Sequence, residues 1–407
     1  MCQPKGFEDG DWQIFVWLML RSIYGLKQSV LEWYEQVCAV MADLGFTKVE
    51  SDHVLFYYNE LDQAVNTVCT RCLIGWHGDN GMAVSNSHPF LEKVKGMIAD
   101  WFGITDLGPV TKYLGVQFKR DRKWCKVWMH QLEYIAFLLQ EYGLSDCNPV
   151  HLPADPKAPL SDPSILYPDV ANLQSAYLKL VGELIYLSVN TRPDISYIIN
   201  TLAQHNANPE PCHFVTAKCV LHYLARTMNL HLCYEHDGNA SKLHAYADAS
   251  WASETRRRSV SGYTWSYAGG LISHISKKQT TVALSSTKAE YMAATHVTQE
   301  GLWLCSLFTE LKVPFASPVP IYLDNSGAIA LSTAAKFHQH SKHIDIWYHF
   351  IREHVDAGSF TLIWVPSHCN IADILMKALP RPAFEKLRQN LGLVVEVLLY
   401  ATRLTTL

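Results

Sequence analysis

Apolar and polar residues alternate with period two in some stretches of this chain and recur at steps of three and four in others. The order of those stretches predicts the architecture. Leu243–Asp248 and Ser259–Ala268 alternate as half-buried strands do, Gly269-Gly270 supplies a turn, and a third strand over Leu271–Lys277 closes a meander. From Ser286 onward, Ala289, Met292, Ala293, Val297, Gly301, Leu304, Leu307, Phe308 and Leu311 recur at steps of three and four, as in an amphipathic helix. A strand at Val319–Leu323, a short helix after Asp324-Asn-Ser-Gly, a helix around Trp347–Val355, a strand at Phe360–Val365 and a final helix over Asn370–Leu379 complete what reads as one compact domain. Expressed by itself, a 240–393 fragment is expected to remain soluble.

Upstream, a polar opening (Met1–Gly10) and an apolar run (Ile14–Leu20) precede a helix over Leu31–Leu44. The strand Val68–Trp76 turns at His77-Gly-Asp-Asn80 into Gly81–Val84, a hairpin with Asp79 at its tip. A helix over Glu92–Phe102, a strand pair within Asp106–Val116 and a helix over Met129–Tyr142 follow. Prolines 149, 153, 156, 159, 163 and 168 interrupt regular structure and mark a domain boundary. Beyond it, Ser175–Ser188, Asp194–Ala207 and Val215–Thr227 read as helices.

Composition narrows the class. With 407 residues, 49% of them hydrophobic, the chain can bury the cores of two or three domains. A formal net charge of −4 gives no global basic field, so any phosphate-binding surface must be local, with Arg256-Arg-Arg258 and Lys277-Lys278 as candidates. The 11 cysteines form no disulfide framework, and Cys69-x-x-Cys72 has no second pair to complete a zinc site. They read as reduced thiols, which places the protein inside the cell. No apolar run approaches the ~20 residues needed to cross a bilayer, so no membrane partner is expected.

Carboxylates recur where elements begin or end. Asp248 closes the first strand of the meander, Glu290 opens the long helix, Asp324 leaves the fourth strand and Asp373 opens the last helix. Each has an ordinary structural role open to it. Thr287-x-x-Glu290 fits a capping box, Asn370-x-x-Asp373 resembles one, and Asp324 before Asn-Ser-Gly is turn chemistry. Taken jointly, four carboxylates converging on one sheet edge would repel one another unless divalent cations sat between them, as two-metal phosphoryl chemistry requires.

The motifs Tyr246-Ala-Asp-Ala-Ser-Trp-Ala252, Ser276-Lys-Lys-Gln279, Val282-Ala-Leu-Ser-Ser-Thr-Lys-Ala-Glu-Tyr-Met292, Asp324-Asn325, Lys342-His-Ile-Asp-Ile346 and Ala372-Asp-Ile-Leu375 resemble the ribonuclease H domain of copia-type retrotransposon polyproteins. Tyr24-Gly-Leu-Lys-Gln28 and the 77–84 hairpin resemble the same family's reverse transcriptase palm, and the resemblance runs from Gln3 to about Leu393. It implies an α+β and α/β multidomain chain: a partial reverse transcriptase palm and thumb (1–147), a linker and helical connection (148–240), a ribonuclease H-like mixed sheet flanked by helices (241–393) and a short tail (394–407).

The resemblance further implies a two-magnesium (or manganese) site at Asp248, Glu290, Asp324 and Asp373, and an RNA–DNA hybrid or other nucleic acid as partner. Lys288 stands where the family has Glu, and Val30-Leu31 where it has Pro-Arg. At the palm hairpin the family's Tyr-x-Asp-Asp aligns with His77, Asp79 and Asn80, a degenerate polymerase site because an amide replaces one carboxylate. A chain opening at Gln3-Pro-Lys-Gly-Phe7 would also lack the family's upstream palm aspartate, so DNA synthesis is expected to be lost. It would leave Phe56, Leu73 and Ile74 uncovered as well. Two readings of activity stay open: a metal-dependent nuclease, or an inactive transposon remnant that at most binds nucleic acid.

Overall fold

The computed structural model describes residue 23 and residues 25–62, 67–156, 170–235, 242–251, 258–333 and 342–395. The polar opening, the Ile14–Leu20 run, most of the proline-rich stretch and Arg256–Arg257 lie outside the described residues. The chain divides at Pro109/Val110 into two units, each with its own packing.

In the first unit, helix α1 (Lys27–Asp43) leads into four antiparallel strands, β1 (Thr47–Lys48), β2 (Leu55–Asp62), β3 (Thr67–His77) and β4 (Asn80–Ser85), ordered β1-β2-β3-β4, and then α2 (His88–Phe102). Val37, Val40 and Met41 of α1 and Val94 and Ile98 of α2 meet Phe56, Cys72, Ile74 and Trp76 of the sheet in one core. The strand alternation thus has a partner supplied by the two helices. The expected exposure of Phe56 and Ile74 is corrected accordingly: both are 2% exposed, and only Leu73, on the other face of β3, is half-buried.

The second unit holds two five-stranded sheets. Strands β5 (Lys112–Tyr113), β6 (Val116–Asp121) and β7 (Lys126–His130) lead into α3 (Leu132–Glu141). Helices α4 (Val170–Asn190), α5 (Ser196–Ala203) and α6 (Pro211–Arg226) follow, then β8 (Leu230–Glu235), which pairs with β7. The expected helix over Met129–Tyr142 is therefore shorter at its start, because Met129 and His130 belong to a strand whose partner lies about a hundred residues downstream. The turn between α4 and α5 is locked by a buried pair in which Arg192 Nε and Nη2 donate to Asp194 Oδ1 and Oδ2 at 3.0 and 2.8 Å.

The other sheet is mixed. Strands β9 (His244–Ser250), β10 (Val260–Tyr267) and β11 (Gly270–Lys278) form the expected antiparallel meander, while β12 (Val319–Leu323) and β13 (Phe360–Trp364) run parallel to β9, in the order β11-β10-β9-β12-β13. Between them come α7 (Ser286–Glu310), α8 (Ser326–Thr333) and α9 (Lys342–Asp356). A 3-10 turn at Ile371–Leu375, α10 (Arg381–Asn390) and β14 (Leu393–Val395), which pairs with β8, close the chain.

One face of the mixed sheet packs on α7: Trp265 is fully buried, and a Cβ at Gly301 would meet its ring at 2.4 Å, so only glycine lets the helix lie this close. The other face shares a core with helices α3–α6. Leu271, Ile374, Leu375, Phe384 and Leu393 join Leu180, Leu184, Ile198 and Leu221 in one cluster. Residues 240–393 thus complete their packing only with α3–α6, contrary to the expectation that they stand alone.

Candidate active site

Register brings the first two carboxylates together. β9 and β12 run parallel with Tyr246 opposite Tyr322, whose rings stack at 4.8 Å between centroids. Two residues further along each strand, on the same face, stand Asp248 and Asp324. The third arrives on α7. Its N-cap is Ser285, which accepts from Lys288 N at 3.3 Å, so the expected capping box starting at Thr287 is corrected: Glu290 lies in the second turn and its carboxylate is left for the site. Donor atoms of Asp248, Glu290 and Asp324 all lie within 4.8 Å of one another.

The fourth carboxylate is delivered by the 3-10 turn that replaces the expected helix over Asn370–Leu379. Asn370, fully buried, donates from Nδ2 to Ala247 O at 3.0 Å and accepts from Ala372 N at 3.2 Å, bolting the turn to β9 one residue from Asp248. Close approach needs Gly262, the cross-strand partner of Asp248: a Cβ there would sit 3.0 Å from Ala372 O and from Leu375 Cβ. The Asp373 carboxyl on this turn then lies near enough to Asp248 to raise its proton affinity. Lys377 Nζ lies 2.5 Å from Asp373 Oδ1, an ion pair outside hydrogen-bond alignment.

The electrostatics are those of an uncompensated anionic cluster. Asp248 is 2% exposed, and its Oδ2 has no donor. Burial holds its carboxyl well above the usual range, helped by the charge of Glu290, the Asp373 carboxyl and the charge of Asp324. Burial also pushes Glu290 up to about 8, with Asp324 and Asp373 adding to the rise while Asp248 and the Ala249 amide oppose it. That single Ala249 N–H is shared, donating to Asp248 Oδ1 at 2.8 Å and to Glu290 Oε2 at 3.1 Å. Acidic side chains packed this way, with an orphaned buried oxygen among them, suit hard divalent cations that take oxygen ligands. The sequence had pointed to the four acids. Asn370, Gly262 and Lys377 had not been singled out for the site, although Lys377 stands four residues beyond Asp373, an ordinary ion-pair spacing.

The palm-like hairpin is built differently. Gly78, at φ 59°, and Asp79 form its two-residue turn, with His77 pairing Asn80. Trp33 Nε1 on α1 donates to Gly78 O at 2.8 Å and pins the tip. Asp79 is exposed, and Asn80 Nδ2 donates to its Oδ1 at 3.0 Å, so the amide occupies an oxygen that a metal would need.

A mixed sheet with three antiparallel and two parallel strands, carboxylates at the neighbouring ends of β9 and β12 and a helix crossing one face define the ribonuclease H-like fold. A family profile described as "Reverse transcriptase (RNA-dependent DNA polymerase)" matches residues 1–156. Over 97% of its length the chain is 33% identical to the retrovirus-related Pol polyprotein from transposon TNT 1-94 of Nicotiana tabacum. It is 35% identical over 96% of its length to the Pol polyprotein from transposon RE1 of Arabidopsis thaliana. It belongs to the copia-type Pol polyproteins, and spans 29% and 26% of the lengths of those two relatives. Among solved structures, LC11-RNase H1 isolated from compost aligns over 36% of this chain and 96% of its own, at 13% identity and a TM-score of 0.27. Among the described residues no helix is long and apolar enough to cross a membrane.

Proposed function

We propose that this chain hydrolyses the RNA strand of RNA–DNA hybrids at the cage formed by Asp248, Glu290, Asp324 and Asp373, and that it does not synthesise DNA at the Asp79/Asn80 hairpin. In this reading residues 1–147 derive from the polymerase, 148–240 from the connection and 241–393 from the nuclease. The observation that carries it is the convergence of three ligand atoms within 4.8 Å, two of the residues buried, beside an Asp248 oxygen with no donor.

Magnesium or manganese ions held by these carboxylates would polarise the scissile phosphate and lower the pKa of a bound water. The chain's own contribution is placement. The Ala249 amide fixes Asp248 and Glu290 relative to each other, Asn370 fixes the turn that carries Asp373, and Lys377 draws Asp373 into place. Burial and mutual repulsion raise the proton affinity of Asp248 and Glu290, so cations and protons compete for these carboxyls and cation uptake is favoured as pH rises.

The test uses the full chain, a labelled RNA–DNA hybrid and a magnesium titration, with Glu290→Gln and Asp324→Asn alongside. Cleavage by the parent and a loss of at least about 100-fold in each variant are expected. The parent alone should melt higher with magnesium, because a ligand that binds only the folded state stabilises it. A parent that neither cuts nor responds to magnesium overturns the nuclease reading and leaves an inactive remnant; undiminished cleavage in both variants would move the site elsewhere.

A further inference from the structure

On the connection-facing side of the mixed sheet, α5 runs alongside β11 with matched spacing. Ser196, Asn200 and Gln204 follow one another at helical steps of four, spanning about 12 Å. His274, Ser276 and Lys278 follow at strand steps of two, spanning about 13 Å. The outer rungs are joined: Ser196 Oγ lies 3.0 Å from His274 Nε2, and Lys278 Nζ donates to Gln204 Oε1 at 2.7 Å. The middle rung is not. Asn200 Nδ2 turns back to Ser196 O at 3.0 Å, and Ser276 Oγ, in a residue only 4% exposed, has no partner. At this gap an open cleft of about 270 Å³ is lined by Asn200, Gln204, Ser276, Lys277 and Lys278.

We propose that this cleft is a second nucleic-acid contact, a seat for one backbone phosphate of the strand pair whose RNA is cut at the carboxylate cage. The inference rests on the nuclease reading and deepens it. Its chemistry is that of an oxyanion: the Lys278 ammonium, a buried hydroxyl able to donate, and carboxamides able to turn an N–H inward, while strand alternation turns the Lys277 side chain to the α7 side of β11. Among the described residues no acidic one lines the cleft. Nucleic acid is favoured over other phosphates by position. Ser276 pairs with Gly262, and Gly262 with Asp248, so the buried hydroxyl lies two strand separations, about 10 Å, from the cage on the same face of the sheet. Desolvation by burial lowers the proton affinity of Lys278, and an anion in the cleft would offset it. The cleft also gives the connection a direct role, since α5 supplies half of its wall.

Binding of an RNA–DNA hybrid to the full chain in EDTA, followed by anisotropy across a salt series, tests this. Lys278→Gln, which keeps a donor toward Gln204, should weaken binding and make the slope of log K against log salt shallower by about one. Ser276→Ala should weaken binding about three- to tenfold without changing the slope, because it removes a neutral donor. Lys386→Gln, at an exposed lysine that does not line the cleft, should leave affinity and slope alone. An unaltered slope in Lys278→Gln overturns the proposal, as does a parent that binds no hybrid without metal. Magnesium-dependent cleavage by the same preparations reports separately on the cage, so the phosphate seat can fail while the nuclease reading stands.

Discussion

Asp79 stands in a hairpin turn and Asp248 inside β9, two residues before its end; one is in solvent and the other is 2% exposed among three more carboxyls. At the hairpin tip the neighbouring amide of Asn80 donates to Asp79, and water does the rest. In the acidic cluster one amide N–H serves two carboxyls, and burial and mutual repulsion raise their proton affinity. The difference teaches what sets the proposed site apart: its acids are held together by backbone and packing, with an electrostatic deficit that a cation would relieve. A site whose acid is already satisfied by a neutral donor has no such deficit to relieve.

The comparison breaks most sharply in activity. With magnesium, the full chain should cut a hybrid and show no template-dependent primer extension above a no-protein control. Primer extension by the unmodified chain would show that one exposed carboxylate beside an amide suffices, and would erase the distinction. A second way to sharpen it is to remove the support under Asp373. Cutting the chain to residues 241–393 takes away α3–α6 and uncovers Leu271, Ile374, Leu375 and Phe384, each worth about 1.5–3 kcal/mol when buried. That fragment should aggregate or melt without cooperativity, whereas residues 110–395 should unfold as one transition. A monodisperse, cooperatively melting 241–393 fragment would show that the shared core is dispensable.

Metal-free stability should also separate the two sites. Glu290, at about 8 in the folded chain against roughly 4.3 when unfolded, binds a proton in the native state that the unfolded chain has released across that interval. The unfolded state therefore holds fewer protons, and stability falls as pH rises from about 4 to 8, by on the order of a few kcal/mol. In EDTA, the melting temperature of residues 110–395 should drop by about 5 °C or more between pH 6 and pH 8. Glu290→Gln should flatten the drop. A drop of the same size in that variant would assign the pH dependence to other groups.

Much of this was legible because the mixed sheet is built from local signals. The alternation in Leu243–Asp248 and Ser259–Ala268 and the three-four spacing after Ser286 need no distant partner to be read; of the acids expected at element ends, Asp324 directly follows β12, whereas Asp248 lies two residues inside β9 and Glu290 in the second turn of α7. What was not legible depended on distance. Lys126–His130 is a strand because β8 lies beside it, and Ile371–Leu375 is a tight turn because Asn370 is bonded to Ala247 across 123 residues. A short apolar run such as Ile371-Ala-Asp-Ile-Leu375 carries no period that separates a turn from a helix. The start of α7 at Ser286 was legible; of the two residues able to cap it, Ser285 does so and Thr287 does not, which leaves Glu290 free of a capping role.

The smallest expected effect is the most direct probe of the hairpin. Asn80→Asp restores the acidic pair at the tip, with Asp79 beside it. Both positions are exposed, so water should screen the added repulsion, and the change in stability should stay within about 0.5 kcal/mol. What changes is the donor: Asp79 loses the Asn80 amide, leaving two adjacent carboxylates on a turn still pinned by Trp33. Without burial there is no deficit for a cation to relieve, so magnesium should not raise the melting temperature of this variant above that of the parent. The comparison is made at the first unit's transition, followed by the fluorescence of Trp33 and Trp76, which pack at 6.4 Å edge to face in its core. A clear magnesium-dependent rise confined to the Asn80→Asp chain would mean that two exposed carboxylates already bind the ion, and that burial is not what distinguishes the cage from the hairpin.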